Sequence, residues 1–319
     1  MSGRYYILVF TLLFSSLSAP AKELDFLKPN EVNVIYGMDH GTALLMDIYE
    51  PKEPNGYALV FVMGTGFTAY GGYDDLPLKE LDRWLLKNGV FENLMGEKRQ
   101  IFAPAVEAGF TVFSINHRLA PKNHWQDQVR DVQRAVQFIR SNSAAYGVSS
   151  DWIAGMGHSS GGSLVALAAA LDDVMDPYSI DRVDRESSRF QAVVPVSGVH
   201  DLLSAMKERP SITTMLSGYV GQVISYQPPG HQVYKAFMQA SPVYHLDESD
   251  PPMLVIHCAD DDVISVEQSV ALASKLEELS IPHEFHSLAD GDHGAVFDLS
   301  TFQPMPYAAE WLVKELPAE

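Results

Sequence analysis

Cysteine and basic residues are scarce in this sequence, and both shortages limit what the protein can be. Cys258 is the single cysteine among 319 residues, so no internal disulfide can form and stability must come from a packed core. Lysine and arginine together number 22 against 41 aspartates and glutamates, which gives a formal net charge of -19. Because phosphate backbones and anionic membranes repel so acidic a chain, neither nucleic acid nor a membrane surface is expected as a partner.

Long hydrophobic runs are also scarce. The most apolar segment, at 5–14, follows Arg4 and precedes several small residues. It is shorter than the ~20 residues that span a bilayer, and this order of segments is typical of a secretory signal. We therefore expect residues 1–21 to be a signal peptide cleaved after Ala21. The rest of the chain is then secreted or periplasmic, without stable membrane insertion.

Motifs for cofactors and metals are absent from the sequence as well. No G-x-G-x-x-G follows a predicted strand, and there is no P-loop. The aspartates at 260–262 lack the spacing of a calcium loop, and no group of histidines or cysteines has zinc spacing. Cys258 follows the apolar run MLVIH, which predicts a buried hydrophobic residue rather than a nucleophile. We expect neither a cofactor nor a metal ion.

Nearly continuous apolar runs alternate with helical patterns along the chain. The runs at 57–66, 110–116, 152–157, 190–198 and 251–258 predict strands that are buried on both faces of a sheet. An apolar stripe with helical spacing lies between the second and third of them, at Val129, Val132, Val136 and Ile139. This alternation predicts an α/β fold with a mostly parallel central sheet and helices on both faces.

Three segments depart from the alternation. The runs at 31–37 and 43–51 predict two leading strands that form an antiparallel edge. Residues 70–98 are polar with helical character, and residues 201–245 interrupt the alternation and are predicted to form a small lid. We expect one domain over 22–319 with this lid inserted.

The stretch AGMGHSSGGSL at 154–164 places two serines among glycines, between a predicted strand and a predicted helix. A nucleophile at the tip of so tight a turn needs glycine two residues before and two residues after it, because side chains would clash there. Ser159 meets this rule through Gly157 and Gly161, whereas Ser160 has a histidine two residues before it. Ser159 is therefore the predicted nucleophile, and the Ser160 N–H is a predicted oxyanion donor. A helix N-cap serine is the alternative.

A nucleophilic serine needs a base, and the base needs an orienting acid. In open α/β sheets such groups lie in loops at the carboxyl ends of strands. The loop after 251–258 carries three aspartates, Asp260, Asp261 and Asp262, and the loop after the short strand at 283–288 carries His293. From the residues alone His293 is the predicted base, and the choice of acid among the three aspartates stays open. A solvated acidic loop is the alternative.

The remaining histidines near these loops are predicted to have other roles. His283 and His286 lie within a strand rather than after it, which is typical of core or surface residues. His257 ends a strand and is predicted to support the acid loop. His158 adjoins the nucleophile in sequence and is predicted to be structural.

Six blocks of the sequence resemble, in order and spacing, those of the α/β-hydrolase esterases, and they extend from about residue 31 to 315. The group most similar contains bacterial carboxylesterases of the hormone-sensitive-lipase type and feruloyl-esterase-like enzymes. The blocks read VNVIYG with ALLMDIYEP, LVFVMGTGF, FTVFSINHRLAP, IAGMGHSSGGSL, ASPVYHLDESDPPMLVIHCADDDVISVEQS and ADGDHGAVF. The resemblance implies an α/β-hydrolase fold with a small lid.

The resemblance also implies roles for particular residues. Ser159 corresponds to the family's nucleophile and His293 to its base. The family's acid block reads His-Gly, two variable residues and then the acid, so His257 and the VEQS at 266–269 imply Asp261 as the acid. Asp260 is the runner-up.

The oxyanion loop departs from the family pattern. Where the family has His-Gly-Gly-Gly and an aromatic, this chain has Met63, Gly64, Thr65, Gly66 and Phe67. Backbone N–H groups donate to the oxyanion, so a residue with a Cβ can serve there if its torsion angles allow. The predicted donors are the N–H groups of Thr65, Gly66 and Ser160.

Together these features predict an exported serine hydrolase that cleaves carboxylic esters with small to medium acyl groups through Ser159, Asp261 and His293. Its expected partner is a small ester substrate. An arylformamidase or other amide hydrolase on the same fold is the first alternative. A prolyl-oligopeptidase-type peptidase is disfavoured because about 20 residues after the signal leave no room for its extra domain. A non-catalytic binding protein is the last alternative, disfavoured because all three triad residue types are present.

Overall fold

Eight strands form one sheet within residues 28–68, 102–224, 228, 230–289, 291–293 and 304–318, which the computed structural model describes. The predicted signal peptide at 1–21 and the polar stretch at 70–98 lie outside the described residues. The strands are β1 (Glu31–Asp39), β2 (Thr42–Tyr49), β3 (Ala58–Val62), β4 (Thr111–Ile115), β5 (Ile153–His158), β6 (Ala192–Val196), β7 (Met253–Cys258) and β8 (His283–Leu288).

The sheet is mostly parallel with an antiparallel edge, which confirms the predicted fold class. The strand order is β1-β2-β4-β3-β5-β6-β7-β8. β2 pairs antiparallel with both β1 and β4, and every other neighbouring pair is parallel. The carboxyl ends of β3, β5, β6, β7 and β8 therefore meet along one edge of the sheet.

The inner strands are buried on both faces, as their apolar runs predict. Every residue of β3, β5, β6 and β7 is buried. Successive side chains of a strand point to opposite faces, so Val60 belongs to one apolar cluster and the next residue, Phe61, to another. The sheet thus separates two layers of core.

Helices cover both of these layers. The cluster around Val60 includes residues of α2, α4 and α8, whereas the cluster around Phe61 includes residues of α1 and α9. In chain order the helices are α1 (102–107), α2 (Trp125–Ser141), α3 (Ser143–Tyr146), α4 (Ser160–Ala170), α5 (Leu202–Glu208), α6 (Thr213–Val220), α7 (Gln232–Gln239), α8 (Glu267–Glu278) and α9 (Pro304–Lys314). Short 3-10 turns lie at Pro210–Ile212 and Pro242–Tyr244.

The segment predicted as a lid lies between β6 and β7 and contains α5, α6 and α7. Tyr219 of α6 stacks on Phe67, with 3.9 Å between the ring centroids. Met215 of the same helix lies beside Gly66, where a Cβ would be 2.9 Å from the Met215 sulfur. α6 therefore packs directly against the loop that follows β3.

A histidine is completely buried at the carboxyl edge of the sheet. His200 follows β6 and is 0% exposed. Neither of its ring nitrogens has a hydrogen-bond partner among the residues that the structure describes. Burial lowers the pKa of His200 to about 3, so the ring is neutral in the folded protein at neutral pH.

We expect replacement of His200 by leucine to make the protein more resistant to acid. The unfolded chain takes up a proton on this residue near its ordinary pKa of about 6.5, but the folded chain does not. His200 therefore lowers the free energy of unfolding as the pH falls below that value, by up to about 1.4 kcal/mol per pH unit. Urea unfolding of the wild type and His200→Leu between pH 7 and 4.5 measures the effect. If the two curves of unfolding free energy against pH run parallel, the account is wrong.

Candidate active site

The predicted nucleophile lies in a strained turn between a strand and a helix. β5 ends at His158 and α4 begins at Ser160, so Ser159 alone joins them. Its φ of 56° and ψ of -127° lie outside the regions that residues with a side chain prefer, a strain that typically costs about 1–3 kcal/mol. Ser159 occupies the N-cap position of α4, but its side chain makes no capping hydrogen bond. The geometry thus disfavours the alternative of a capping serine.

Glycines allow this turn to form against its neighbours. A Cβ on Gly157 would lie 2.3 Å from the carbonyl oxygen of Gly161, as the rule of glycine on both sides predicts. A Cβ on Gly161 would lie 2.0 Å from the Val62 carbonyl oxygen, so the second glycine is required by β3 as well. Gly64 approaches equally closely, since a Cβ there would lie 2.6 Å from the Ser159 Cβ. The loop after β3 is therefore pressed against the turn.

The three candidate acids differ sharply in their surroundings. Asp261 is completely buried, whereas Asp260 and Asp262 are exposed. Asp261 Oδ1 accepts hydrogen bonds from the N–H groups of Val263 and Ile264, at 2.9 and 2.7 Å. These contacts fix the carboxylate within its own loop and leave Oδ2 for partners from other parts of the chain.

Two histidines contact the second carboxylate oxygen of Asp261. His293 Nδ1 donates to Oδ2 at 2.7 Å, and His257 Nε2 lies 3.2 Å from the same atom. Burial on its own would raise the pKa of Asp261, but hydrogen bonds from His257 and His293 outweigh it and hold the pKa well below its usual value. The structure thus brings together the predicted acid and the predicted base, with the acid ionised.

The tautomer of His257 follows from its neighbours. Its Nε2 faces the Ile264 carbonyl oxygen at 3.1 Å as well as the Asp261 carboxylate, and both groups only accept hydrogen bonds. Nε2 therefore carries the proton. In the neutral ring Nδ1 then accepts a hydrogen bond from Ser269 Oγ, 2.7 Å away. His257 thus lies where it was predicted to lie, in support of the acid loop.

The predicted base is held by the residue that precedes the nucleophile. The His158 ring lies 4.7 Å from the His293 ring, and its Nε2 is 3.1 Å from the His293 carbonyl oxygen. Burial, and then the nearby His293, lower the pKa of His158 to about 3. A neutral His158 that is protonated at Nε2 therefore donates to this carbonyl. Sequence reasoning missed the contact because it joins the end of β5 to a loop 135 residues further along the chain.

Ser159 and His293 lie at the same edge of the sheet, but they share no hydrogen bond within the described part of the chain. The bond from His293 Nδ1 to Asp261 leaves Nε2 as the basic nitrogen of the ring. Bonds between nucleophile and base are often long in the free state and tighten with substrate. The arrangement can therefore supply a hydroxyl nucleophile and an oriented imidazole.

The three N–H groups predicted to bind the oxyanion differ in whether they already donate a hydrogen bond. Among the described residues nothing accepts a hydrogen bond from the N–H groups of Gly66 or Ser160. The Ser160 N–H also lies in the first turn of α4, where the helix dipole favours negative charge. The Thr65 N–H, in contrast, donates to Ser160 Oγ at 2.8 Å.

Other groups singled out in the sequence lie away from this constellation. His283 and His286 belong to β8, as predicted. Cys258 is buried at the end of β7, and burial raises the pKa of its thiol to about 11. Across the described ranges no group of three histidine, cysteine or acidic residues could hold a metal ion. The helices of the same ranges include none that is long and apolar enough to cross a membrane.

Known proteins resemble this chain in both sequence and structure. Residues 46–276 match the family model described as BD-FAE. The probable carboxylic ester hydrolase LipM of Mycobacterium tuberculosis is 29% identical over 188 residues, which are 59% of this chain and 42% of LipM. The kynurenine formamidase of Meyerozyma guilliermondii is 24% identical over 213 residues, which are 65% of this chain and 71% of that enzyme.

A solved structure shares the fold over nearly the whole length of both chains. It is the truncated form of a carbohydrate esterase from gut microbiota, 25% identical, with a TM-score of 0.69. The superposition covers 92% of this chain and 98% of that one. By contrast, the chain spans less than half the length of LipM.

The close contacts at the turn predict a specific cost for one added methyl group. Gly157→Ala places its Cβ against the Gly161 backbone, which cannot move without displacing β3, so we expect a loss of about 3 kcal/mol in unfolding free energy. Gly218→Ala in α6 is the matched control, because the nearest atom to its Cβ is Thr68 Cγ2 at 3.9 Å. A gain of up to about 1 kcal/mol is expected there. Equal urea midpoints for the two variants would contradict this account of the turn.

Proposed function

The chain belongs to the BD-FAE family, and on that premise we propose that it is a serine esterase that cleaves carboxylic esters with small to medium acyl groups. The observation that carries the proposal is the 2.7 Å bond between a buried, ionised Asp261 and His293, beside a strained Ser159. The names of its relatives, LipM and the carbohydrate esterase, support ester bonds as the target.

In the proposed mechanism Ser159 Oγ attacks the ester carbonyl while His293 Nε2 takes its proton. The Asp261 carboxylate holds His293 in the tautomer that leaves Nε2 basic, and it stabilises the imidazolium that forms. His293 then gives the proton to the departing alcohol. A water molecule, activated by the same nitrogen, hydrolyses the acyl-enzyme and restores Ser159.

The tetrahedral intermediate needs donors for its oxyanion. The N–H groups of Gly66 and Ser160 are available in the described structure, and the dipole of α4 adds to the second of them. Loss of one such donor typically costs about 3–4 kcal/mol of barrier. The Thr65 N–H can serve directly only if it leaves Ser160 Oγ.

An aryl formamide is the second candidate substrate. The observation that favours it is the similarity to a kynurenine formamidase, of which this chain covers 71%. The same nucleophile, base and acid would act on the formyl carbonyl. Hydrolysis of N-formylkynurenine at a kcat/KM above that of every ester tested would favour this reading over the esterase.

We also propose that the protein is exported, on the strength of the charged, apolar and small-residue order at its start. Expression of the full chain in a bacterial host, followed by fractionation and mass spectrometry, tests this. The expected product lies in the periplasm or medium and begins at Lys22. A protein that stays in the cytoplasm with Met1 intact would refute it.

The acid and the nucleophile can be tested together on p-nitrophenyl acetate, butyrate and octanoate and on an acetylated sugar. We expect Ser159→Ala and Asp261→Asn each to lower kcat by about 10⁴-fold or more. Asp260→Asn is the matched control, because this neighbouring carboxylate is exposed, and its kcat should stay within about twofold of the wild type. A larger loss in Asp260→Asn than in Asp261→Asn would instead identify Asp260 as the acid.

A further inference from the structure

The hydroxyl of Ser160 lies between the strained turn and the loop at 63–67. Ser160 is 2% exposed, and its Oγ accepts the hydrogen bond from the Thr65 N–H at 2.8 Å. The two residues lie 95 positions apart in the chain. This contact connects the residue after the nucleophile to a residue of the predicted oxyanion loop.

The Ser160 hydroxyl has a proton to donate. A serine hydroxyl carries one donor and two acceptor sites, and the Thr65 N–H occupies one of the acceptor sites. Within the described ranges no atom accepts the Ser160 proton. A buried donor without an acceptor is unfavourable, so an oxygen on a bound substrate would satisfy a donor that the described residues leave unpaired.

The position of the hydroxyl suits an acceptor that forms on the substrate. Ser160 is adjacent to Ser159, and Gly64, adjacent to Thr65, is pressed against the Ser159 Cβ. The hydroxyl thus belongs to the residue after the nucleophile and contacts a loop residue whose neighbour, Gly64, packs against the Ser159 Cβ. The oxygen that becomes negative when Ser159 attacks a carbonyl is two covalent bonds from Ser159 Oγ, next to the residue that carries this hydroxyl.

We propose that the Ser160 hydroxyl itself is an oxyanion donor, polarised by the Thr65 N–H behind it. The chain of hydrogen bonds runs from the Thr65 N–H to Ser160 Oγ and from the Ser160 O–H to the oxyanion. Each bond in such a chain strengthens the next. The proton stays on Ser160 Oγ throughout, and no covalent bond to Ser160 forms or breaks. This assignment rests on the proposed serine esterase, and it replaces direct donation by the Thr65 N–H.

A Ser160 hydroxyl that only occupies the Thr65 N–H, and does not donate to the oxyanion, predicts the opposite effect on activity. If Ser160 merely withholds the Thr65 N–H from the oxyanion, removal of its hydroxyl frees a backbone donor and activity rises. If the hydroxyl is itself the donor, its removal lowers activity. One substitution therefore separates the two readings by the sign of its effect.

The test compares Ser160→Ala with Ser197→Ala. The second variant also removes a buried hydroxyl, but this one has no hydrogen-bond partner in the described structure. We expect kcat of Ser160→Ala on p-nitrophenyl butyrate to fall by about 10²–10³-fold, with KM within about threefold of the wild type. Ser197→Ala should keep both constants. Ser160→Thr keeps a hydroxyl and should recover at least a tenth of the wild-type kcat.

Binding of a trifluoromethyl alkyl ketone separates a catalytic role from a structural one. This inhibitor forms an oxyanion when a serine adds to it, so its affinity for Ser160→Ala should fall by the same factor as kcat/KM. The melting temperature should stay close to that of Ser197→Ala. A variant that loses melting temperature in step with activity, or binds the ketone unchanged, would overturn the assignment.

Two further outcomes distinguish failure of this inference from failure of the proposed function. Unchanged or increased kcat in Ser160→Ala, with Ser159→Ala inactive, would overturn the role of the hydroxyl and leave the esterase standing. Wild-type activity in Ser159→Ala would overturn both.

Discussion

The site depends on the hydrogen bonds that the buried carboxylate of Asp261 accepts. A negative charge that is buried away from water needs hydrogen-bond donors, because an unpaired buried charge greatly destabilises the folded protein. Here the donors come from its own loop, from the end of β7 and from the loop after β8. The need to satisfy one charge thus holds His293 in place. The same contacts lower the pKa of Asp261 and keep it ionised, which is the state that an orienting carboxylate needs.

Close backbone approach is the second constraint. The end of β3, the turn at Ser159 and the first turn of α4 come so near one another that Gly64, Gly157 and Gly161 have no room for a Cβ. This contact stores strain at Ser159 and presses the 63–67 loop against it. Tyr219 of α6 stacks on Phe67 of the same loop, and Ser159 lies at the edge of the sheet where β5 ends.

Polar contacts around the turn also show which residues hold the candidate catalytic residues in position. His158 is neutral and donates a hydrogen bond to the backbone carbonyl of His293. His257 and His293 both contact the Asp261 carboxylate. Thr65 reaches Ser160 across the joint between loop and helix. The candidate nucleophile, base and acid thus lie among buried hydrogen bonds that fix the positions of His293 and Asp261 relative to the sheet.

Local pattern by itself determined much of this protein. Continuous apolar runs indicate buried parallel strands because both faces of each strand are covered. The spacing of glycines distinguishes Ser159 from Ser160 because the clash that it avoids is between near neighbours in the chain. The same reasoning brings His293 to the carboxyl edge of the sheet, since it follows a strand.

Only the tertiary structure decided which groups contact one another across loops. The residues alone left the choice of acid open among three aspartates, and of these Asp261 is the one that is buried and bonded to His293, at 2.7 Å. Likewise the Thr65 N–H was expected to face substrate, and folding gives it Ser160 Oγ instead. A local pattern reports sterics and periodicity along the chain. The choice of a hydrogen-bond partner depends on distances between segments that the sequence places far apart.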